Sequence, residues 1–234
     1  MNVNKNASSG DFEFEALKRA VHYRRALHHR FRRHLRGKVL EVGSGTGQFS
    51  AELAGNSAIT HLELLEPEPA FAESLRVLFP AHTIHTCIAS ELRAEGQYDA
   101  IVSVNVLEHI ENDQGELRIY WNLLKPGGAL CLFVPASPWL YSPIDANFGH
   151  FRRYTKAEIK NRVRMSGLRI EPLQYCNMVG FAAWWINFKL LKKTHFEPEK
   201  VALFDRWIFP VSHRVERWLP KFLGQSLFVI ASKL

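Results

Sequence analysis

The run Val39-Leu40-Glu41-Val42-Gly43-Ser44-Gly45-Thr46-Gly47 constrains this chain more than any other segment. A buried strand leads into three glycines spaced two apart, so the backbone can turn sharply and let a ligand approach it closely. Such a turn sits between a strand and a helix, the opening of an α/β unit. The rest of the chain alternates accordingly. Apolar spacing predicts a helix over 48–54, a strand over 62–65, a helix over 69–78 and a short strand over 83–87. A strand over 100–104, a helix over 113–124 and a strand over 129–134 follow. Thr155 with Glu158 three residues on forms a capping-box pattern that starts a helix running to 165. Strands over 168–175 and 226–232 complete the set. Strands alternating with helices imply a mostly parallel, Rossmann-like α/β sheet covered on both faces.

With 234 residues, 47% apolar and 23% charged, the chain suits a single domain with a full core. It divides into an N-terminal helix (11–36), a core (37–177), a helical insertion (178–224) and a last strand (225–234). The first ten residues are polar and carry no signal-like apolar region. The most apolar stretch, 178–191, contains Asn187 and Lys189 and falls short of the roughly 20 apolar residues a membrane span needs. A cytoplasmic location follows, with peripheral membrane contact as the limit. Cys87, Cys131 and Cys176 are few, odd in number and widely spaced, which fits reduced thiols better than a disulfide framework or zinc site. The net charge is +7, and residues 18–38 hold nine Lys/Arg and no acid. This stretch reads either as a surface for an anionic partner or as the solvated face of a helix whose apolar side is Ala20, Val21, Leu27 and Phe31.

Two acids sharpen the glycine turn. Glu41 stands two residues before Gly43, and Glu66 ends the next strand, where a carboxylate can accept both hydroxyls of a ribose. The glycines read GxGxG rather than GxGxxG. A sulfonium amino acid joined to ribose and adenine suits this site better than a pyrophosphate.

At this point the sequence resembles the class I S-adenosylmethionine-dependent methyltransferases. KVLEVGSGTG is similar to the family's first motif and LLEPEP to its second; IASEL fits the adenine-binding turn. YDAIVSVNVLEHI resembles the fourth-strand motif, and LLKPGGALCLFVPA the turn and fifth strand. These pieces cover residues 38–136 in the family's order. The resemblance implies seven strands, the last antiparallel, and S-adenosylmethionine as cofactor. It assigns Glu41, Gly43, Ser44, Gly45, Gly47, Glu66, Pro67, Ala89, Ser90 and Asn105 to the cofactor, with Tyr23 closing over its methionine end.

Methyl transfer needs a base only for acceptors such as a hydroxyl or a protonated amine. His109, just after the fourth strand, is one candidate base, and His150 is the other. Their alternative roles are structural, His109 holding the Glu108 turn. Asn105, Glu108 and His109 also resemble the metal pattern of quinone-type O-methyltransferases. Asn105 replaces an acid of that pattern, which argues against magnesium, so no metal is expected. Tyr141, Asp145, Arg152, Arg153 and Tyr154 crowd the long connection 136–154, over the expected substrate mouth. There the arginines can fork onto an anionic acceptor, unless Asp145 pairs with one and simply stiffens the loop. Gly149 to Tyr154 resembles a bacterial subgroup of type 11/12-like methyltransferases. Trp184 and Trp185 in the insertion suggest an apolar lid, or plain packing of that segment onto the sheet.

The reading that follows is O-methylation of a small lipophilic molecule. An RNA methyltransferase is the second hypothesis, drawn from the basic stretch; NVLEH in place of an Asn/Asp-Pro-Pro-aromatic motif and the lack of an RNA-binding module argue against nucleic acid. A non-catalytic cofactor-binding protein is the third. Cofactor titration followed by a labelled-methyl screen separates it from the other two.

Overall fold

The computed structural model describes residues 18–93, 95–193, 197–216, 218 and 222–234. Seven strands form one sheet in the order β3-β2-β1-β4-β5-β7-β6. They are β1 (Gly37–Val42), β2 (Ile59–Leu65), β3 (Thr83–His85), β4 (Tyr98–Val104), β5 (Leu124–Pro135), β6 (Arg169–Cys176) and β7 (Ser226–Ser232). The first five pair in parallel, and β7 runs antiparallel to both β5 and β6. Strand order reverses at β1, so the carboxyl ends of β1 and β4 border a crevice of the kind α/β proteins use for ligands.

Alternation within the strands explains the two-sided core, since successive side chains point to opposite faces. Leu40, Ile101, Leu130 and Leu132 pack on one face against Leu117 and Tyr120 of α4 (Asp113–Leu123) and Ile159 and Val163 of α6 (Lys156–Met165). Val39, Val102, Cys131 and Phe133 pack on the other against Leu27 and Phe31 of α1 (Val21–Phe31), Leu53 of α2 (Ser50–Ala54) and Leu75 of α3 (Pro69–Leu78). The capping box at Thr155 is present: its hydroxyl donates to Glu158 and accepts the Glu158 N–H.

Some boundaries differ from the sequence reading. β5 begins at Leu124 rather than 129, because Gly127 and Gly128 exchange backbone bonds with Lys233 just past β7. Among the described residues the N-terminal helix is Val21–Phe31, shorter than 11–36; residues 11–17 lie outside the described set. Its basic stretch is partly spent inside the fold: Arg30 stacks on Phe228 and donates to Cys176 Sγ and Gln174.

The connection 136–154 holds a short helix, α5 (Pro143–Asn147). Between β6 and β7 lie α7 (Met178–Trp184), continued by a π-helical segment to Leu190, then α8 (Pro198–Leu203), a second π segment (Phe204–Ile208) and α9 (Phe209–Glu216). Two carboxylates, buried Asp205 and half-buried Glu216, tie these helices down. Asp205 accepts the His22 and Tyr23 backbone N–H groups at 2.8 and 2.9 Å and so caps α1. Glu216 accepts the Asn177 and Met178 N–H groups at 3.1 and 2.5 Å and caps α7. Each satisfies helix-terminal donors that have no partner within their own helix. Among the described residues no helix is long and apolar enough to cross a membrane. The cysteines are free thiols.

Candidate active site

The glycine turn lies at the carboxyl end of β1. Gly43 and Gly47 adopt φ of +70° and +80°, and a Cβ on Gly43 would come within 2.4 Å of Val106. Only glycine holds this backbone so close to the β4 loop without strain. The turn is fastened to β2: Gly43 and Ser44 N–H donate to the Leu65 carbonyl, and Gly45 N–H donates to Glu66 Oε2 at 2.7 Å. Glu66 Oε1 accepts the Glu68 N–H at 3.0 Å. Each carboxylate oxygen retains a second lone pair, the capacity a ribose diol requires. Burial raises the pKa of Glu66. Glu41 is buried more deeply, accepts the Ser50 hydroxyl at 2.5 Å, and burial pushes its pKa up to about 8. Ala89 is buried in the turn after β3, whereas Pro67 and Ser90 are exposed at its rim. Asn105 ends β4 in the left-handed region, φ 53°, a conformation that concentrates at functional sites. The glycine cradle, the buried carboxylate and the open rim fit S-adenosylmethionine.

A cavity of about 610 Å³ opens between the sheet end and helices α7 to α9. Its polar end is lined by Asn105, Glu108, His150 and Arg153, and Tyr23 also faces it. Tyr23 sits edge-on to Phe133 and Phe209 at 6.0 and 5.3 Å, and burial raises its hydroxyl pKa. Tyr23 and Asn105, both expected at the methionine end of the cofactor, therefore share one cavity with His150. The remaining walls include the aromatic side chains of Phe148, Trp184, Phe188 and Phe209.

His150 is held from behind. Its Nδ1 lies 3.1 Å from Asp145 Oδ1, and Tyr141 donates its hydroxyl to the His150 carbonyl at 2.7 Å. Its Nε2 is buried without a hydrogen-bond partner. Asp145 is fully buried; its Oδ1 also accepts Arg153 Nε at 2.7 Å, and its Oδ2 accepts the Ser142 N–H and hydroxyl. Burial alone would raise the Asp145 pKa, but the His150 and Arg153 partners hold it below the usual aspartate range. His109 stacks edge-on to His150 with ring centres 4.6 Å apart but does not line the cavity. Desolvation and the His150 charge lower its pKa.

The dense loop resolves into two buried networks rather than a free anion clamp. Arg153 is spent on Asp145 and stacks over Trp184 at 4.3 Å. Arg152 turns away from the cavity to Asp113 at 2.8 Å and to the Ile110 and Glu111 carbonyls. Tyr154 is buried, donating to Asp113 and Leu107. Asp113 and Asp145 thus take up donors of both arginines, and of the two only Arg153 lines the cavity. Trp184 lines the cavity and donates its indole N–H to the Leu140 carbonyl, whereas Trp185 points outward, 43% exposed. Placing both tryptophans on the acceptor is thus corrected: adjacent residues on a helix diverge by about 100°.

Glu108, His109 and His150 bring one ligand atom each within 4.8 Å of one another. That carboxylate and two imidazoles could hold a transition metal. The set differs from the one suggested by the sequence, because His150 takes the place of Asn105. Asn177, Gln225 and Ser226, which also line the cavity, carried no sequence signal; Asn177 is held there by Gln225 at 2.7 Å.

A sheet of this order, with a glycine turn after β1 and an acid closing β2, defines the class I S-adenosylmethionine-dependent methyltransferases. The family profile described as a methyltransferase domain matches residues 14–173, and the chain belongs to that family. It is 28% identical over 153 residues to a ubiquinone biosynthesis O-methyltransferase of Xanthomonas axonopodis pv. citri, covering 58% of this chain and 64% of that protein. An uncharacterized methyltransferase of Mycobacterium tuberculosis is 26% identical over 138 residues, covering 58% and 68%. The chain thus spans about two thirds of the length of these curated relatives. In structure it is similar to a chain of the Haloferax volcanii complex between the Trm112 methyltransferase activator and a methyltransferase, with TM-score 0.68, 14% identity and 99% of both chains covered. A Mesorhizobium loti S-adenosylmethionine-dependent methyltransferase gives TM-score 0.60 at 13% identity, covering 84% of this chain and 90% of the other.

Proposed function

We propose that this protein transfers a methyl group from S-adenosylmethionine to a hydroxyl of a small lipophilic acceptor, with His150 as general base. The observation that carries the reading is the Asp145–His150 pair: His150 lines an apolar cavity, and its buried Nε2 has no hydrogen-bond partner. The relatives named for O-methylation in ubiquinone biosynthesis support an oxygen acceptor.

S-adenosylmethionine, when bound, supplies an electrophilic methyl on a positively charged sulfur. Gly43 to Gly47 and Glu66 would hold its ribose side, Ala89 its base, and Asn105 and Tyr23 its methionine end. An acceptor hydroxyl against His150 Nε2 gives its proton to that nitrogen as the oxygen becomes the nucleophile. Asp145 fixes the tautomer with Nδ1 protonated and stabilises the imidazolium that forms. Phe148, Trp184 and Phe188 keep water from the acceptor and hold its ring in line, the part of catalysis that positioning supplies.

The test is a screen of lipophilic phenols and catechols with labelled methyl donor, run beside soluble RNA and hydrophilic amines. Label on the phenolic oxygen is the expected result. Label confined to RNA or amine nitrogen, or cofactor binding with no transfer to any acceptor, would sink the proposal.

A further inference from the structure

The outer face of the insertion carries a stripe of exposed apolar side chains that extends beyond the cavity. Along α8, the π segment and α9, Leu203, Trp207, Val211 and Val215 follow at steps of four, 58%, 64%, 60% and 49% exposed. The opposite face of the same helices is buried through Asp205, Phe209 and Ser212. Steps of four place the exposed side chains on one stripe, about 18 Å long at 1.5 Å per residue. Ile186, Leu190 and Leu191 at the end of α7, and Trp218 and Phe222 beyond α9, are exposed as well. Large apolar patches of this kind mark interaction surfaces.

Charge and position identify the occupant. Residues 178–224 hold eight Lys/Arg against four Asp/Glu, with Arg206 and Arg214 beside the stripe. Leu203 and Trp207 also line the cavity, so the apolar surface runs into the cavity mouth, where Lys193 and Lys200 pair with Glu197. An apolar helix face edged by cations matches a bilayer interface, with side chains among the acyl chains and cations at the headgroups. We propose that this face docks on a membrane surface rich in anionic phospholipid and sets the cavity mouth at the lipid boundary. The cavity would then receive its acceptor from the bilayer, a step that rests on the lipophilic-acceptor reading above; the docking itself does not.

The experiment is co-sedimentation of the full chain with vesicles of equal parts phosphatidylcholine and phosphatidylglycerol, and with phosphatidylcholine alone. Binding should favour the anionic vesicles and weaken as salt screens the headgroups. Val211→Glu with Val215→Glu, on the stripe but off the cavity wall, should weaken vesicle binding by about tenfold or more. Cofactor affinity and melting temperature should hold in this variant. Protein that stays in the supernatant, binds both vesicle types equally, or binds unchanged in the double variant overturns the proposal. So does a dimer, seen by light scattering, that the double variant dissociates while vesicle binding is absent. Because sedimentation needs no turnover, vesicle binding without methylation of lipophilic phenols would reject only the acceptor reading.

Discussion

Asp145→Asn tests the buried network that orients the candidate base. Asp145 accepts four bonds: from the Ser142 N–H and hydroxyl at 2.9 and 3.0 Å, from Arg153 Nε at 2.7 Å and from His150 Nδ1 at 3.1 Å. An amide of the same shape loses the charge and offers only one acceptor oxygen, so its NH₂ must face donors on one side. Arg153, 5% exposed, then keeps its charge without its carboxylate partner. Breaking a buried pair on one side costs about 3–5 kcal/mol. At about 2–4 °C per kcal/mol for a chain of this size, the melting temperature should fall by roughly 6–20 °C. The pH dependence has a definite sign. The folded pKa of Asp145 lies below its unfolded value, so its stabilisation is present above the unfolded pKa and lost as pH falls through the folded one. The gap between wild type and variant should therefore stay constant near neutrality and close only below about pH 4. Turnover per folded molecule should also drop, because an amide NH₂ facing Nδ1 favours the tautomer with the proton on Nε2. Melting curves that coincide at pH 7, with unchanged turnover, would refute both the buried pair and its orienting role.

Glu66→Ala should weaken S-adenosylmethionine binding by about 1–3 kcal/mol through loss of charge-assisted bonds; unchanged affinity by calorimetry removes Glu66 from the site. Glu41, with its pKa raised to about 8, holds a proton in the fold that the unfolded chain releases above its ordinary range near 4.5. Its contribution to stability is thus full below that range and lost as pH rises through 8, at up to about 1.4 kcal/mol per unit. Glu41→Gln should melt above wild type at pH 9 and equal it near pH 5; parallel curves across that range reject the shift. Trp184→Ala should cost about 3–5 kcal/mol of stability as well as acceptor affinity. Trp185→Ala, exposed and off the cavity, should change neither by more than about 0.5 kcal/mol, and equal losses in the two variants contradict their divergent placement.

The sheet was legible because its signals are local. Alternation in β1, β4 and β5, the glycine turn and the Thr155 capping box each need only a few neighbouring residues. The glycine turn and its neighbours were legible for the same reason, since Gly43, Glu66 and Asn105 each directly follow a strand. The loop 136–154 was misread in part because a sequence displays arginine donors but not the buried acceptors that consume them: Asp113 lies 39 residues from Arg152. Asp205 and Glu216 carry no sequence mark of their role, which is to accept helix-terminal N–H groups 183 and 38 residues away. The tryptophan pair shared one signal, and only the helix phase separated their fates. The two histidines were both visible; the cavity wall and the Asp145 bond distinguish them.

The most direct test is the pH–rate profile of wild type and His150→Ala with a phenolic acceptor found in the labelled-methyl screen, measured in the presence of a chelator. A base at His150 predicts wild-type turnover at pH 7 that survives the chelator. The variant should fall by about 10²–10⁴-fold at pH 7 and recover as the phenol ionises unaided at high pH, while His109→Ala stays near wild type. A His150→Ala enzyme with full turnover at pH 7 would contradict the account. So would wild-type activity that the chelator abolishes and added metal restores, which would make Glu108, His109 and His150 metal ligands instead.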